Sequence, residues 1–185
     1  MSQTSTPPTE DPPIVMDNLV TLTYTEDLPP NTVRWAEALL EGRLLGQRCP
    51  VCQRVFVPPK EYCSLDMVVL GPEHDVEVSD HGVVTGFTIV APVRYYGQTK
   101  TEPFVYASVL LDGASGTIGG QDVSGIPADQ VRAGLRVRAV WLPAAERTTE
   151  GQSARGWGSV EGAITSFEAT GEPDVAREHY EEHII

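Results

Sequence analysis

The feature that most constrains this chain is where its cysteines fall. All 3 lie between Arg48 and Asp66, in the stretch RCPVCQRVFVPPKEYCSLD. Cys49 and Cys52 form one C-x2-C knuckle, ten residues intervene, and Cys63 opens a second knuckle in which Asp66 stands where a fourth cysteine belongs. Two such knuckles bring ligands from distant backbone points onto one tetrahedral ion, and Zn²⁺ accepts a carboxylate oxygen beside thiolates. The spacing predicts a zinc ribbon held by Cys49, Cys52, Cys63 and Asp66, with His74 and His81 as alternatives for the fourth place. A competing reading packs the cysteines as small apolar side chains with no ion. It has little to pack, because around Pro58, Pro59, Lys60 and Glu61 only Val51, Val55, Phe56 and Val57 are available for burial; so small a segment needs a cross-link. A redox pair at Cys49 and Cys52 requires a helix N-terminus after a strand, and this knuckle precedes a hairpin instead.

Three clustered cysteines fit a reducing compartment better than a disulfide framework. The opening residues MSQTSTPPTEDPP lack the basic and apolar regions of a signal peptide, and no apolar run approaches the ~18 residues of a membrane span. The expectation is a cytoplasmic protein. Its 13 basic against 26 acidic side chains give a net charge of -13, which repels a phosphate backbone. The imbalance is not uniform. Between residues 31 and 62, Arg34, Arg43, Arg48, Arg54 and Lys60 outnumber Glu37, Glu41 and Glu61, so this stretch carries +2 and the remainder -15.

The chain divides on composition into a flexible leader (1–30), a helix with the ribbon (31–70), a strand-rich domain (71–170) and a tail (171–185). Asn31 reads as the N-cap of a helix that Gly42 ends, with Trp35, Ala36, Leu39 and Leu40 as its apolar stripe. That stripe faces either the chain's own core or another protein, for which tryptophan is a favoured anchor. Five β-rich segments follow, at 83–92, 104–113, 115–125, 135–144 and 157–169, with one short helical turn in IPADQVRAG after the third. In LRVRAVW, Leu135, Val137, Ala139 and Trp141 alternate with Arg136, Arg138 and Val140, the pattern of a half-buried strand. Five strands in this order predict an OB-fold, a partly open five-stranded barrel. The connection VRYYGQTKTEP between the first two is a candidate contact loop, AAERTTEGQSARG reads as a mobile polar loop, and the tail is placed as a terminal helix.

No catalytic constellation survives inspection. The tail's His179, Glu182 and His183 match H-x-x-E-H, but the second histidine stands two residues from the end of the chain with no downstream carboxylate. Ser79, Asp80 and His81 are consecutive, and a triad needs its members facing one another across a pocket. Neither a phosphate-binding loop nor a dinucleotide fingerprint occurs.

The ordered string of a tryptophan helix ending EGRLLGQRC, then CPVC with VPPKEYC, then GVVTGFTIV, PFVYASVLLDG and GLRVRAVW resembles the DUF35 family (domain of unknown function 35), over about residues 31–169. The resemblance implies a rubredoxin-like zinc ribbon followed by an OB-fold. It also implies a non-catalytic accessory role: members bridge or stabilise thiolase-like (lipid-transfer-type), acyltransferase or aldolase subunits that act on acyl-coenzyme A. Some contribute to the coenzyme A channel, and some look like partners of retro-aldolases that shorten steroid acyl-CoA side chains. On that expectation the catalytic residues lie on the partner. Trp35, Leu39, Tyr95 and Tyr96 are contact candidates, and Arg43, Arg48 and Arg54 are candidates for attracting coenzyme A phosphates. Two other classes compete. An OB-fold nucleic-acid-binding protein needs a basic groove with stacking aromatics, and strands two, three and five are nearly free of Lys and Arg. An acyl-CoA enzyme acting alone would turn over its substrate without a partner.

Overall fold

The computed structural model describes residues 20–22, 25, 27–92, 101–155 and 159–183. Helix α1 (Pro30–Leu40) leads into β1 (Leu44–Arg48), β2 (Val55–Phe56) and β3 (Asp75–Val78), which form one antiparallel sheet in the order β2-β1-β3. The barrel follows: β4 (His81–Val90), β5 (Phe104–Leu111), β6 (Thr117–Ser124), β7 (Arg136–Trp141) and β8 (Ile164–Ala169) close in the order β4-β5-β6-β8-β7. All its pairings are antiparallel except β6 with β8, the arrangement of an OB-fold. The mainly β architecture, with a helix and ribbon before a five-stranded barrel, is the one the strand pattern predicts.

Local chemistry explains the helix ends. Pro30 occupies the first helical position, where its missing N–H loses nothing. Asn31 does not cap the helix. It lies inside the first turn, and its Nδ2 donates to the Pro59 carbonyl at 3.0 Å. At the other end Gly42 has φ +80°, its N–H bonds Leu39 O, and the Arg43 N–H bonds Ala38 O, which is the double closure of a Schellman motif. The Arg147 side chain packs over Gly42 and donates to Leu40 O at 3.1 Å and Leu142 O at 2.9 Å, tying the helix end to the segment after β7.

One core runs through both halves. Trp35 and Leu39, Leu44 of β1, Val55 of β2, and Val84, Val109, Val137 and Phe167 of the barrel belong to the same apolar cluster. In β7, Val137 and Ala139 point inward, while Arg136 pairs with Asp112 and Glu172 and Arg138 with Glu168 on the outside, as the alternation predicts. The ribbon sheet is also bolted to the barrel through Ser115: its N–H donates to Val55 O at 2.8 Å and its hydroxyl accepts the Val55 N–H at 3.0 Å.

Two further local expectations change. The segment read as a mobile polar loop holds helix α2 (Thr149–Arg155), with Gln152 fully buried against Gly162. The start signal was Thr148, whose hydroxyl accepts the Gly151 N–H at 3.1 Å. The tail forms two 3₁₀ turns, Arg177–His179 and Glu181–His183, instead of an α-helix. Tyr180 between them is buried beside Gly134, and Arg132 grips Asp174, so this end of the chain is packed down.

Candidate metal centre

The two knuckles are built alike. Cys49 leaves β1, its N–H bonds Arg54 O, and the Gln53 N–H returns to Cys49 O with Gln53 at φ +61°. In the second knuckle the Cys63 N–H bonds Val68 O and the Met67 N–H returns to Cys63 O, with Met67 at φ +55°. Each turn therefore places its residue +3 in the same location. Cys52 fills it in the first and Asp66 in the second, so Asp66 stands in the backbone position of a fourth cysteine.

The side chains converge accordingly. One donor atom from each of Cys49, Cys52, Cys63 and Asp66 lies within 4.8 Å of all the others. Asp66 Oδ2 is 3.2 Å from Cys49 Sγ and 3.3 Å from Cys63 Sγ, and Cys52 Sγ is 3.7 Å from Cys63 Sγ. A tetrahedral Zn²⁺ with ordinary bond lengths sets sulfur–sulfur edges of about 3.8 Å and sulfur–oxygen edges of about 3.5 Å. The donor set fits that ion in kind and in size, whereas a sulfur separation of 3.7 Å is far from a disulfide. Cys49 and Cys63 are buried with Leu70, while Cys52 and Asp66 close the cluster on the solvent side.

The hydrogen bond to Asp66 pushes the Cys52 thiol up to about 12. Hydrogen bonds from Cys52, Cys49 and Cys63 hold the Asp66 carboxyl below its ordinary value. Asp66 is thus already ionised, and the Cys52 thiol is a group that an incoming cation deprotonates.

Gln47 braces this arrangement from the middle of the sheet. It is fully buried, and its Nε2 donates to Gly71 O at 3.0 Å, Asp75 Oδ1 at 3.1 Å and Leu70 O at 3.3 Å. Its Oε1 accepts the Lys60 N–H at 3.1 Å. Asp75 in turn takes Arg34 Nε at 2.7 Å, so α1, β1, β3 and the chain on both sides of the second knuckle share one polar junction. Sequence reasoning missed Gln47; its one signal is a long polar residue in the buried run LLGQ.

Other expected site residues are dispersed. Both reserve histidines lie outside the cluster: His74 Nδ1 accepts the Gly71 N–H, and His81 Nδ1 is 2.9 Å from Asp80 Oδ1. Asp80 and His81 do face each other, but the Ser79 hydroxyl accepts the His81 backbone N–H and Asp80 also takes the Trp141 indole, so no triad forms. Trp35 and Leu39 are corrected as contacts. They are 2% and 0% exposed, because the helix stripe covers the chain's own core. The arginines do not form one patch: Arg43 precedes β1 and pairs with Glu41 and Glu77, while Arg48 ends that strand about 16 Å away. Arg54 lines a separate polar cleft with Glu182 and His183. Tyr95 and Tyr96 lie outside the described residues.

Ribbon, sheet and barrel define a zinc-ribbon and OB-fold protein. Residues 36–66 match the family model of the ChsH2 rubredoxin-like zinc ribbon domain, and residues 75–142 that of the ChsH2 C-terminal OB-fold domain. The chain thus carries both ChsH2 domains in order, ribbon then barrel, and solved structures that share its fold are DUF35 proteins. A solved structure described as Ltp2-ChsH2(DUF35) aldolase is similar in fold, with a TM-score of 0.54 and 20% identity over 78% of this chain and 98% of the other. A DUF35 protein of unknown function from Sulfolobus solfataricus gives 0.50 and 22% identity over 60% of this chain and 78% of its own. No curated protein matches the sequence. No helix among the described residues is long and apolar enough to cross a membrane.

Proposed function

We propose that this chain is a non-catalytic accessory subunit that binds and stabilises a thiolase-like acyl-CoA aldolase or thiolase in the breakdown of steroid or lipid side chains. The observation that carries this reading is the order of the two domains, ribbon then barrel, in a fold that spans 98% of the ChsH2(DUF35) aldolase chain. Cys49, Cys52, Cys63 and Asp66 are the ligands of a zinc ion. The ion supplies no reaction here, only a rigid cross-link between the knuckles. Bond breaking belongs to the partner, and no catalytic residue is assigned to this chain. Of the basic candidates, Arg48 and Arg54, which flank the first knuckle, are kept in this reading for the phosphates of coenzyme A. Arg43 is committed to its two glutamates. Tyr95 and Tyr96, on the connection between β4 and β5, remain the aromatic contact candidates. Metal-bound thiols and the absence of paired cysteines suit the reducing cytoplasm.

Purifying the tagged chain from its own cells tests the reading. A thiolase-like acyl-CoA enzyme in about equal amount is the expected companion. Recovery of the chain by itself, or bound to nucleic acid, would remove the proposal.

A further inference from the structure

The three sulfurs of the metal cluster are not equivalent. Cys49 and Cys63 are 0% exposed, whereas Cys52 stands half-buried on the solvent side. A dissolved oxidant therefore meets Cys52 first. Its Sγ lies 3.7 Å from Cys63 Sγ, and a disulfide needs ~2.0 Å, so the two sulfurs have to close by roughly 1.7 Å.

The turns decide which partner Cys52 takes. Cys49 shares its knuckle, which is fixed by Cys49 N–H to Arg54 O at 2.9 Å and Gln53 N–H to Cys49 O at 3.0 Å; a bridge between Cys49 and Cys52 would have to form inside that closed turn. Cys63 belongs to the second knuckle, closed separately by its bonds to Val68 and Met67. Only Leu70 and Phe56 pack about the cysteines, so one knuckle moves toward the other as a unit and neither turn loses a hydrogen bond. Because Asp66 stands in place of a fourth cysteine, one disulfide exhausts the pairs and leaves Cys49 as a single thiol.

We propose that Cys52 and Cys63 are a reversible redox pair whose disulfide takes over from the metal ion as the cross-link between the knuckles. In the zinc-loaded chain Cys52 is a thiolate, as cysteine ligands are. It attacks one oxygen of hydrogen peroxide, the O–O bond breaks, hydroxide leaves and Cys52 becomes a sulfenic acid. The Cys63 thiolate then attacks that sulfur, forms the S–S bond and expels a second hydroxide. Both hydroxides take up solvent protons, so the sulfurs lose two electrons and the peroxide becomes two waters. With two of the four donors gone, Cys49 and Asp66 alone release the ion. Two molecules of glutathione reverse the bridge and become glutathione disulfide.

Titrating the zinc-loaded full-length chain with hydrogen peroxide tests the pair. A metallochromic indicator reads zinc release, peptide mapping by mass spectrometry reads the bridge, and amide exchange reads the knuckles. The expected product is a Cys52–Cys63 disulfide within one chain, with one zinc ion released for each bridge, Cys49 still open to alkylation, and zinc uptake restored in full by glutathione. Amide protection at Gln53 and Met67 persists in the oxidised, zinc-free chain and is lost when a chelator empties the reduced one. A bridge that includes Cys49, a bridge between two chains, sulfinic acid at Cys52, zinc retained after oxidation, or protection lost on oxidation would each overturn the proposal. The pair rests on the zinc reading above: failure to take up zinc sinks that reading and this proposal with it, whereas a wrong bridge in a zinc-loaded chain sinks this proposal alone.

Discussion

Asp66 sets the chemistry of the ribbon at the scale of a single residue. Because the second knuckle repeats the first, an aspartate at that point brings its donor atom to the same cluster as a cysteine would, through a side chain one bond longer and already charged. Asp66→Ala therefore lowers zinc affinity by at least about tenfold to a hundredfold, the range that even the outer partners of a metal ligand command. Asp66→Cys retains it, and competition against a chromophoric chelator measures both. The pKa directions add a second expectation. Zinc uptake near pH ~7 releases the proton of the Cys52 thiol, whose pKa is raised, and none from the depressed Asp66 carboxyl. An indicator titration should count at least the one proton that Cys52 gives up per ion. Gln47 is the other decisive residue. Gln47→Leu strands the Lys60 N–H and the Leu70 carbonyl and takes one of two donors from Gly71 O and Asp75 Oδ1. It should cost roughly 2–4 kcal/mol in denaturant unfolding, more than a lone buried group does, since several lose a partner together.

Among the elements, the ribbon and the barrel differ in what holds them. The small cluster under the metal contains Cys49, Cys63 and Leu70 with Cys52 and Phe56, too little apolar surface to fix two knuckles, whereas the main cluster fills the barrel and reaches α1. Chelating the metal should therefore abolish amide-exchange protection at Cys49, Gln53, Cys63 and Met67 while β5 and β7 keep theirs; loss of protection throughout would mean the ion supports the whole fold. Trp35→Ala should cost about 3–5 kcal/mol, because it empties a site in the shared core. The elements also mark what the sequence made legible. Alternation exposed the barrel strands, and the cysteine spacing exposed the knuckles, because both leave a periodic or spaced trace. The Gly42 stop was readable for the same reason. Asn31 misled, since a good capping residue found a better use for its amide on Pro59. α2 was hidden because its buried residue is a glutamine. β1 and β3 were hidden because Gly46 lies between the methyl groups of Val55 and Val78, a fit made by tertiary packing.

On the scale of the molecule, an acidic barrel carries a two-knuckle finger with exposed apolar side chains, and the inner helix stripe is spent on holding the two together. That Cys49, Cys52, Cys63 and Asp66 converge was legible from spacing, but the inward use of the helix stripe was not. A tryptophan on an amphipathic helix has the same sequence trace whether it meets its own core or another chain, and only the fold decides. The account's central claim is that this chain presents a surface while a second polypeptide breaks the bond. Acyl-CoA turnover by the zinc-loaded chain, by its thiolase-like companion and by the two mixed tests it most directly. The account predicts no turnover by this chain alone and a large gain when the companion is added, saturating at about one chain per enzyme subunit; turnover by the isolated chain, or a companion that gains nothing from it, would contradict the account.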